Sequence, residues 1–158
     1  METVDQLRED AEQGYPEAQF ELGLRYERGD GVAQDYAQAI DWYRRAAEQG
    51  YPDAQFHLGL QYDEGTGVPR DQKLAAGWYR KAADRGHAEA QCKLGLCYLK
   101  GVGVQKDHGA AVRWFKAAAA QGVPLAQENL GLAYKHGHGV PKDPELAKEW
   151  LRKAAARG

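Results

Sequence analysis

Tryptophan occurs at Trp42, Trp78, Trp114 and Trp150 and nowhere else, so each lies 36 residues after the last. Gly23, Gly59, Gly95 and Gly131 keep that interval, as do Ala18, Ala54, Ala90 and Ala126, and Tyr26, Tyr62, Tyr98 and Tyr134. A fixed period of this length marks a repeat array, in which one supersecondary unit stacks on the next. The core is then spread along the stack, and the 158 residues are read as one domain, 1–158. Arrays of this kind usually bind other proteins.

Residues 15–50 represent the unit. Pro16 suits the first turn of a helix, where a missing N–H costs nothing; Pro52 and Pro124 repeat it, and Ala88 replaces it in the third unit. Ala18, Leu22, Gly23 and Tyr26, with Leu24 beside them, have the spacing of one helical face. Gly29 is expected to stop this helix in the left-handed region, and Val32, after Gly31, to plug the turn into the core. Asp35, Asp71, Asp107 and Asp143 then stand as N-caps before a second helix, each worth about 1 kcal/mol. That helix carries Ala39, Trp42, Tyr43, Ala46 and Ala47 on one face and ends at Gly50, as later copies end at Gly86 and Gly122, with Gly158 in the same place at the terminus. Gly23, Ala46 and Ala47 are small enough to let the two helices of a unit approach, and Trp42 is expected to be the large wedge filling the space toward its neighbours.

Residues 1–14 read as half a unit: Leu7 aligns with Tyr43, Ala11 with Ala47 and Gly14 with Gly50. Asp10 and Gln6 replace an alanine and the tryptophan, as in a polar N-terminal capping helix. The repeats are then 15–50, 51–86, 87–122 and 123–158, the last without a matching cap.

Several chemistries are excluded or disfavoured. Net charge is −2 and the pI about 6.2, with no basic excess for nucleic acid or anionic lipid. Arg44, Arg45, Arg80, Lys81, Lys116, Arg152 and Lys153 gather near the ends of second helices, where they complement the dipole. No apolar run reaches the roughly 18 residues of a membrane span, and residues 1–10 carry no signal-peptide segment. The default expectation is a soluble cytoplasmic chain, or a periplasmic or secreted one if a signal was removed. Cys92 and Cys97 are separated on one helix by about 140° and roughly 7.5 Å of rise, too far for a disulfide. Cys97, beside Lys93 and Lys100, is at most a reactive thiol. Serine is absent, which removes the serine nucleophile. Gly65-Thr66-Gly67 lacks the lysine of a phosphate loop. His136-Gly137-His138 lacks the donors that complete a metal site, and His57, His87 and His108 read as scattered solvent-facing residues. No catalytic residue, cofactor or metal is expected.

The recurring pattern, quoted from the second unit, is Ala54-Gln-Phe-His-Leu-Gly-Leu-Gln-Tyr62, then Gly65-Thr-Gly-Val68, Asp71, and Trp78-Tyr-Arg-Lys-Ala-Ala83. It closely resembles the Sel-1-like repeat (SLR), a relative of the tetratricopeptide repeat, over nearly the whole chain. The resemblance implies an all-α fold: a right-handed α-solenoid of antiparallel helix pairs, whose first helices line a concave groove. It also implies a protein-interaction adaptor or scaffold. One cysteine-rich subset has reported β-lactam binding, and this chain lacks that cysteine pattern.

By analogy with tetratricopeptide geometry, the groove takes Glu17, Phe20, Glu27 and Arg28 from the first unit and Asp53, Phe56, Asp63 and Glu64 from the second. The third supplies Cys92, Leu99 and Lys100, and the fourth Glu128, Lys135 and His136. The repeated Leu24, Leu60, Leu96 and Leu132 read as core; Phe20 and Phe56 are the better contacts because their position varies to Cys92 and Glu128. Acidic residues flank the N-terminal half and Lys100, Lys135 and His136 tilt the other half basic, so a peptide or helix with a basic segment toward the N-terminal end is the expected partner. A monomer is expected. The alternatives are an engineered or self-assembling array, stacking through its last helix, or a hydrolase of the cysteine-rich kind.

Overall fold

The computed structural model describes residues 2–156, and these form nine α-helices. A short α1 (Val4–Glu12) precedes four pairs: α2 (Pro16–Arg28) with α3 (Tyr36–Glu48), α4 (Pro52–Glu64) with α5 (Gln72–Asp84), α6 (Ala88–Lys100) with α7 (His108–Ala120), and α8 (Pro124–His136) with α9 (Pro144–Ala156). The expected stop at Gly158 lies outside the described residues.

Local chemistry sets the ends of these helices. Gly29, Gly65, Gly101 and Gly137 close the first helices at φ 68–70°, as the left-handed cap requires. Each second helix opens on an aspartate whose Oδ1 accepts a backbone N–H three residues on: Gln38, Leu74, Ala110 and Leu146, at 3.0–3.1 Å. The amides of the same aspartates donate back to the first helix, to the carbonyls of Tyr26, Tyr62, Tyr98 and Tyr134 at 2.9–3.0 Å. One residue thus starts a helix and clasps the hairpin. α1 opens on a capping box between Thr3 and Gln6 and buries Leu7 and Ala11.

The chain divides into two compact units, Met1–Arg85 and Gly86–Gly158. In the first, Leu7, Leu22, Tyr43 and Leu58 form the centre of the core; in the second, Phe115, Leu130 and the alanines of α7 do. The small-against-large packing is present, with a different large partner from the one expected. A Cβ on Gly23 would lie 2.6 Å from the Tyr43 ring, on Gly59 2.7 Å from Tyr79, on Gly95 2.7 Å from Phe115 and on Gly131 2.8 Å from Leu151. Tyr43, Tyr79 and Phe115 are 0–1 % exposed, so they are the wedges. Trp42 is buried beside Tyr43, whereas Trp78, Trp114 and Trp150 are half-buried. The basic residue three positions on covers three of the indoles: Arg45, Lys81 and Lys153 lie 4.3–4.5 Å from the ring centres. These cations gain a cation–π contact beyond the dipole role read from sequence.

A second recurring feature has no counterpart in the sequence reading. Gln19, Gln55, Gln91 and Gln127 are buried polar side chains at the 36-residue interval. Nε2 of Gln19, Gln55 and Gln127 donates to the carbonyl eight residues earlier, on Ala11, Ala47 and Ala119, at 3.1–3.3 Å. Each bond ties the start of one repeat to the last turn of the helix before it and satisfies the buried amide nitrogen, while Oε1 of Gln55 and Gln127 is buried without a partner.

Candidate functional site

The first helices carry the residues expected to bind. In unit 1, Glu17, Arg28, Asp53 and Glu64 are exposed on α2 and α4. Phe20 is half-buried; its ring stacks on Tyr51 (centroids 5.5 Å apart) and meets the edge of His57 at 5.1 Å. Phe56 is 5 % exposed, against Tyr79, so it is core and offers almost no surface. The expectation for Phe56 is corrected on that ground: a variable position is not thereby an exposed one. His57, expected in solvent, is half-buried among Phe20, Tyr43 and Phe56.

Glu27 and Asp63 are not plain surface acids. Glu27 accepts hydrogen bonds from the Tyr43 hydroxyl and from Gln61 Nε2, the latter at 3.0 Å. Asp63 accepts one from the Tyr79 hydroxyl at 3.0 Å. Burial first, and the bond to Glu27 second, push the Tyr43 hydroxyl far above the ordinary phenol range, so it stays protonated as the donor. These carboxylates hold the wedge tyrosines inside the hairpins.

In unit 2 both partners change together: Leu99 stands at the acid position and Phe115 at the tyrosine position. The exchange gives a prediction. Tyr79→Phe strips Asp63 of its donor and should cost about 1–2 kcal/mol in urea unfolding. Adding Asp63→Leu, to recreate the Leu99–Phe115 pair, should restore most of it, a coupling near 1 kcal/mol. Simple additivity of the two changes would rule the pairing out.

The other expected residues of unit 2 divide in the same way. Cys92 is 4 % exposed, and burial pushes its thiol up to about 11, so it is a small core filler and not a contact. Lys100, Glu128, Lys135 and His136 are exposed at the expected positions on α6 and α8. Leu99 is half-buried and lines a cavity of 220 Å³ with Phe115, Leu132 and His136. His108 and His138 line it too, so His108 is not the scattered solvent residue of the sequence reading. The ring centres of His108 and His138 lie 5.3 Å apart, and those of His136 and His138 5.6 Å. A turn contact brings them together: the His108 carbonyl oxygen would lie 2.3 Å from a Cβ on Gly139. Among the described residues, no group of three His, Cys, Asp or Glu side chains is placed to hold a metal ion. His87 caps α6, its Nδ1 accepting from the Ala90 amide at 3.1 Å.

Repeated capped hairpins, glycine-to-aromatic packing and a varied exposed face on the first helices define an α-helical repeat scaffold. Sel1 repeat models match residues 16–51, 52–87, 88–123 and 124–158. The chain belongs to the Sel1 repeat family. It is 47 % identical, with a TM-score of 0.96, to a protective antigen of uropathogenic Escherichia coli that displays an SLR fold; the match covers 100 % of this chain and 34 % of that one. It is 42 % identical, TM-score 0.88, to a Sel1 repeat protein from Oxalobacter formigenes, over 92 % of this chain and 60 % of that one. Helicobacter pylori cysteine rich protein B is 27 % identical, TM-score 0.61, over 78 % of this chain and 95 % of that one. The chain therefore spans about a third of the antigen and three-fifths of the Oxalobacter protein. No curated protein matches the sequence significantly. Among the described residues, no helix is long and apolar enough to cross a membrane.

Proposed function

We propose that this chain is a non-catalytic adaptor that docks a peptide or a helix of a protein partner along the exposed side of its first helices. One observation carries the reading. The capping glycines and aspartates and the close-packed helix glycines repeat from unit to unit, while the exposed first-helix positions vary in type and charge. Glu17, Asp53 and Glu64, against Arg28, give unit 1 an acidic face; Lys100, Lys135 and His136, against Glu89 and Glu128, leave unit 2 without that acidic excess. Variation on an exposed face suits a recognition surface, since the fold does not dictate the residue types there as it does at the buried positions that also vary. A partner with a basic segment over unit 1 fits this pattern.

The test is a peptide-display selection on the full chain. Enriched peptides should pair Lys or Arg with apolar anchors. The triple variant Glu17→Lys, Asp53→Lys, Glu64→Lys should then weaken the best of them by about tenfold at low salt. Glu27 and Asp63 are left intact, because their bonds to Tyr43 and Tyr79 belong to the fold. No enrichment, or equal affinity for the triple variant, would overturn the reading.

A further inference from the structure

The cavity beneath Leu99 has no equivalent chemistry in unit 1. At the matching positions there, Glu27 joins Tyr43 and Gln61 in one hydrogen-bonded network. In unit 2 these three positions carry Leu99, Phe115 and Ala133. A polar triad has become an apolar one with a smaller third member, and the space between α6, α7 and α8 is the 220 Å³ cavity. An apolar cavity of roughly 150 Å³ is enough to hold a benzene ring. This one accommodates a single branched aliphatic or aromatic side chain and is smaller than the pockets of about 300–1,000 Å³ that hold drug-sized ligands.

Its polar edge is nearly all imidazole. His108, His136 and His138 line it together with the carboxamide of Asn129. Nδ1 of His108 is buried and makes no hydrogen bond. No carboxylate lines the cavity. Asp107, next to His108, is engaged in capping α7, and Asp143 in capping α9. Glu128 adjoins the lining residue Asn129 but is exposed, and lies two turns of α8 before His136, about 12 Å along the axis. Lys100 ends α6, Lys135 adjoins His136, and Lys106 and Lys142 stand in the loops before α7 and α9. The surroundings are basic, and the floor is apolar.

We propose that this cavity binds an apolar side chain that carries a carboxylate beside it, as the C-terminal residue of a peptide does. The side chain fills the space bounded by Leu99, Phe115 and Leu132, and the carboxylate accepts from the imidazoles at the rim. The assignment rests on the adaptor reading and specifies one anchor within it.

The probes are N-acetyl-leucine and the neutral N-acetyl-leucinamide, titrated into the full chain by NMR. The acid should bind at least about tenfold more tightly than the amide and shift resonances of Leu99, Phe115 and Leu132. Leu132 is 38 % exposed, so Leu132→Trp plugs the mouth without disturbing the core and should abolish binding of both probes. The double variant His136→Gln, His138→Gln should bind the two probes equally, with unchanged helicity by circular dichroism. Equal affinities in the wild type, shifts elsewhere, or indifference to Leu132→Trp would each overturn the assignment. Failure here leaves the display selection and its unit 1 charge reversal standing, so the anchor and the adaptor reading fail separately.

Discussion

Tyr79→Ala should lower the unfolding free energy by about 3–5 kcal/mol, whereas Trp78→Ala, one residue before it, should cost about 1–2 kcal/mol. The order reverses what residue size alone suggests. Tyr79 is 1 % exposed and its ring lies over Gly59, so truncation opens a cavity where α4 and α5 are closest. It also removes the donor to Asp63. Trp78 is half-buried, with Lys81 Nζ 4.3 Å from its ring centre, and its outer face is already against solvent. The indole loses partial burial and one exposed cation–π contact of about 0.5–1 kcal/mol. Urea titration followed by circular dichroism measures both variants. A larger loss for Trp78→Ala would return the wedge to tryptophan and overturn the packing described for α4 and α5.

That comparison shows where the sequence was transparent. Helix ends were legible because they depend on residue types at fixed local offsets: glycine in the left-handed region after α2, α4, α6 and α8, aspartate three residues before the amide it caps. The glycine–large-residue packing was legible as a principle. Its large member was not, because Trp42 and Tyr43 are adjacent and only the hairpin geometry decides which of them meets Gly23. The roles of Glu27 and Asp63 were hidden for the same reason. Each is sixteen residues from the tyrosine it holds, and a lone acid on a helix reads as a solvated charge. A signal for the pairing did exist, in the joint change to Leu99 and Phe115. So did one for the glutamines, whose 36-residue recurrence is as regular as that of tryptophan; periodicity in a polar residue is easily passed over as surface. The histidine cluster carried no local signal. His108 and His138 are thirty residues apart and meet only because the turn after α8 rests on the start of α7.

Two glycine-to-alanine changes should shift stability in opposite directions, and the second bears on the cavity. Gly77 lies within α5 with open space where a Cβ would be. Gly77→Ala removes backbone freedom from the unfolded chain and should stabilise by about 0.8–1 kcal/mol. Gly139 sits at φ +79°, and a Cβ there would lie 2.3 Å from the carbonyl oxygen of His108. The left-handed conformation costs an L-residue about 1–2 kcal/mol. The clash is with backbone, which cannot rotate aside as a side chain does, and forcing the turn outward should add about 1–3 kcal/mol. Gly139→Ala is therefore expected to destabilise by roughly 2–5 kcal/mol in sum. The displaced turn carries His138 away from His108, so the variant should also lose the preference for N-acetyl-leucine over its amide at concentrations where it remains folded. A Gly139→Ala protein as stable as the wild type would mean that the turn does not rest on His108, and the convergence of imidazoles at the cavity would lose its structural cause.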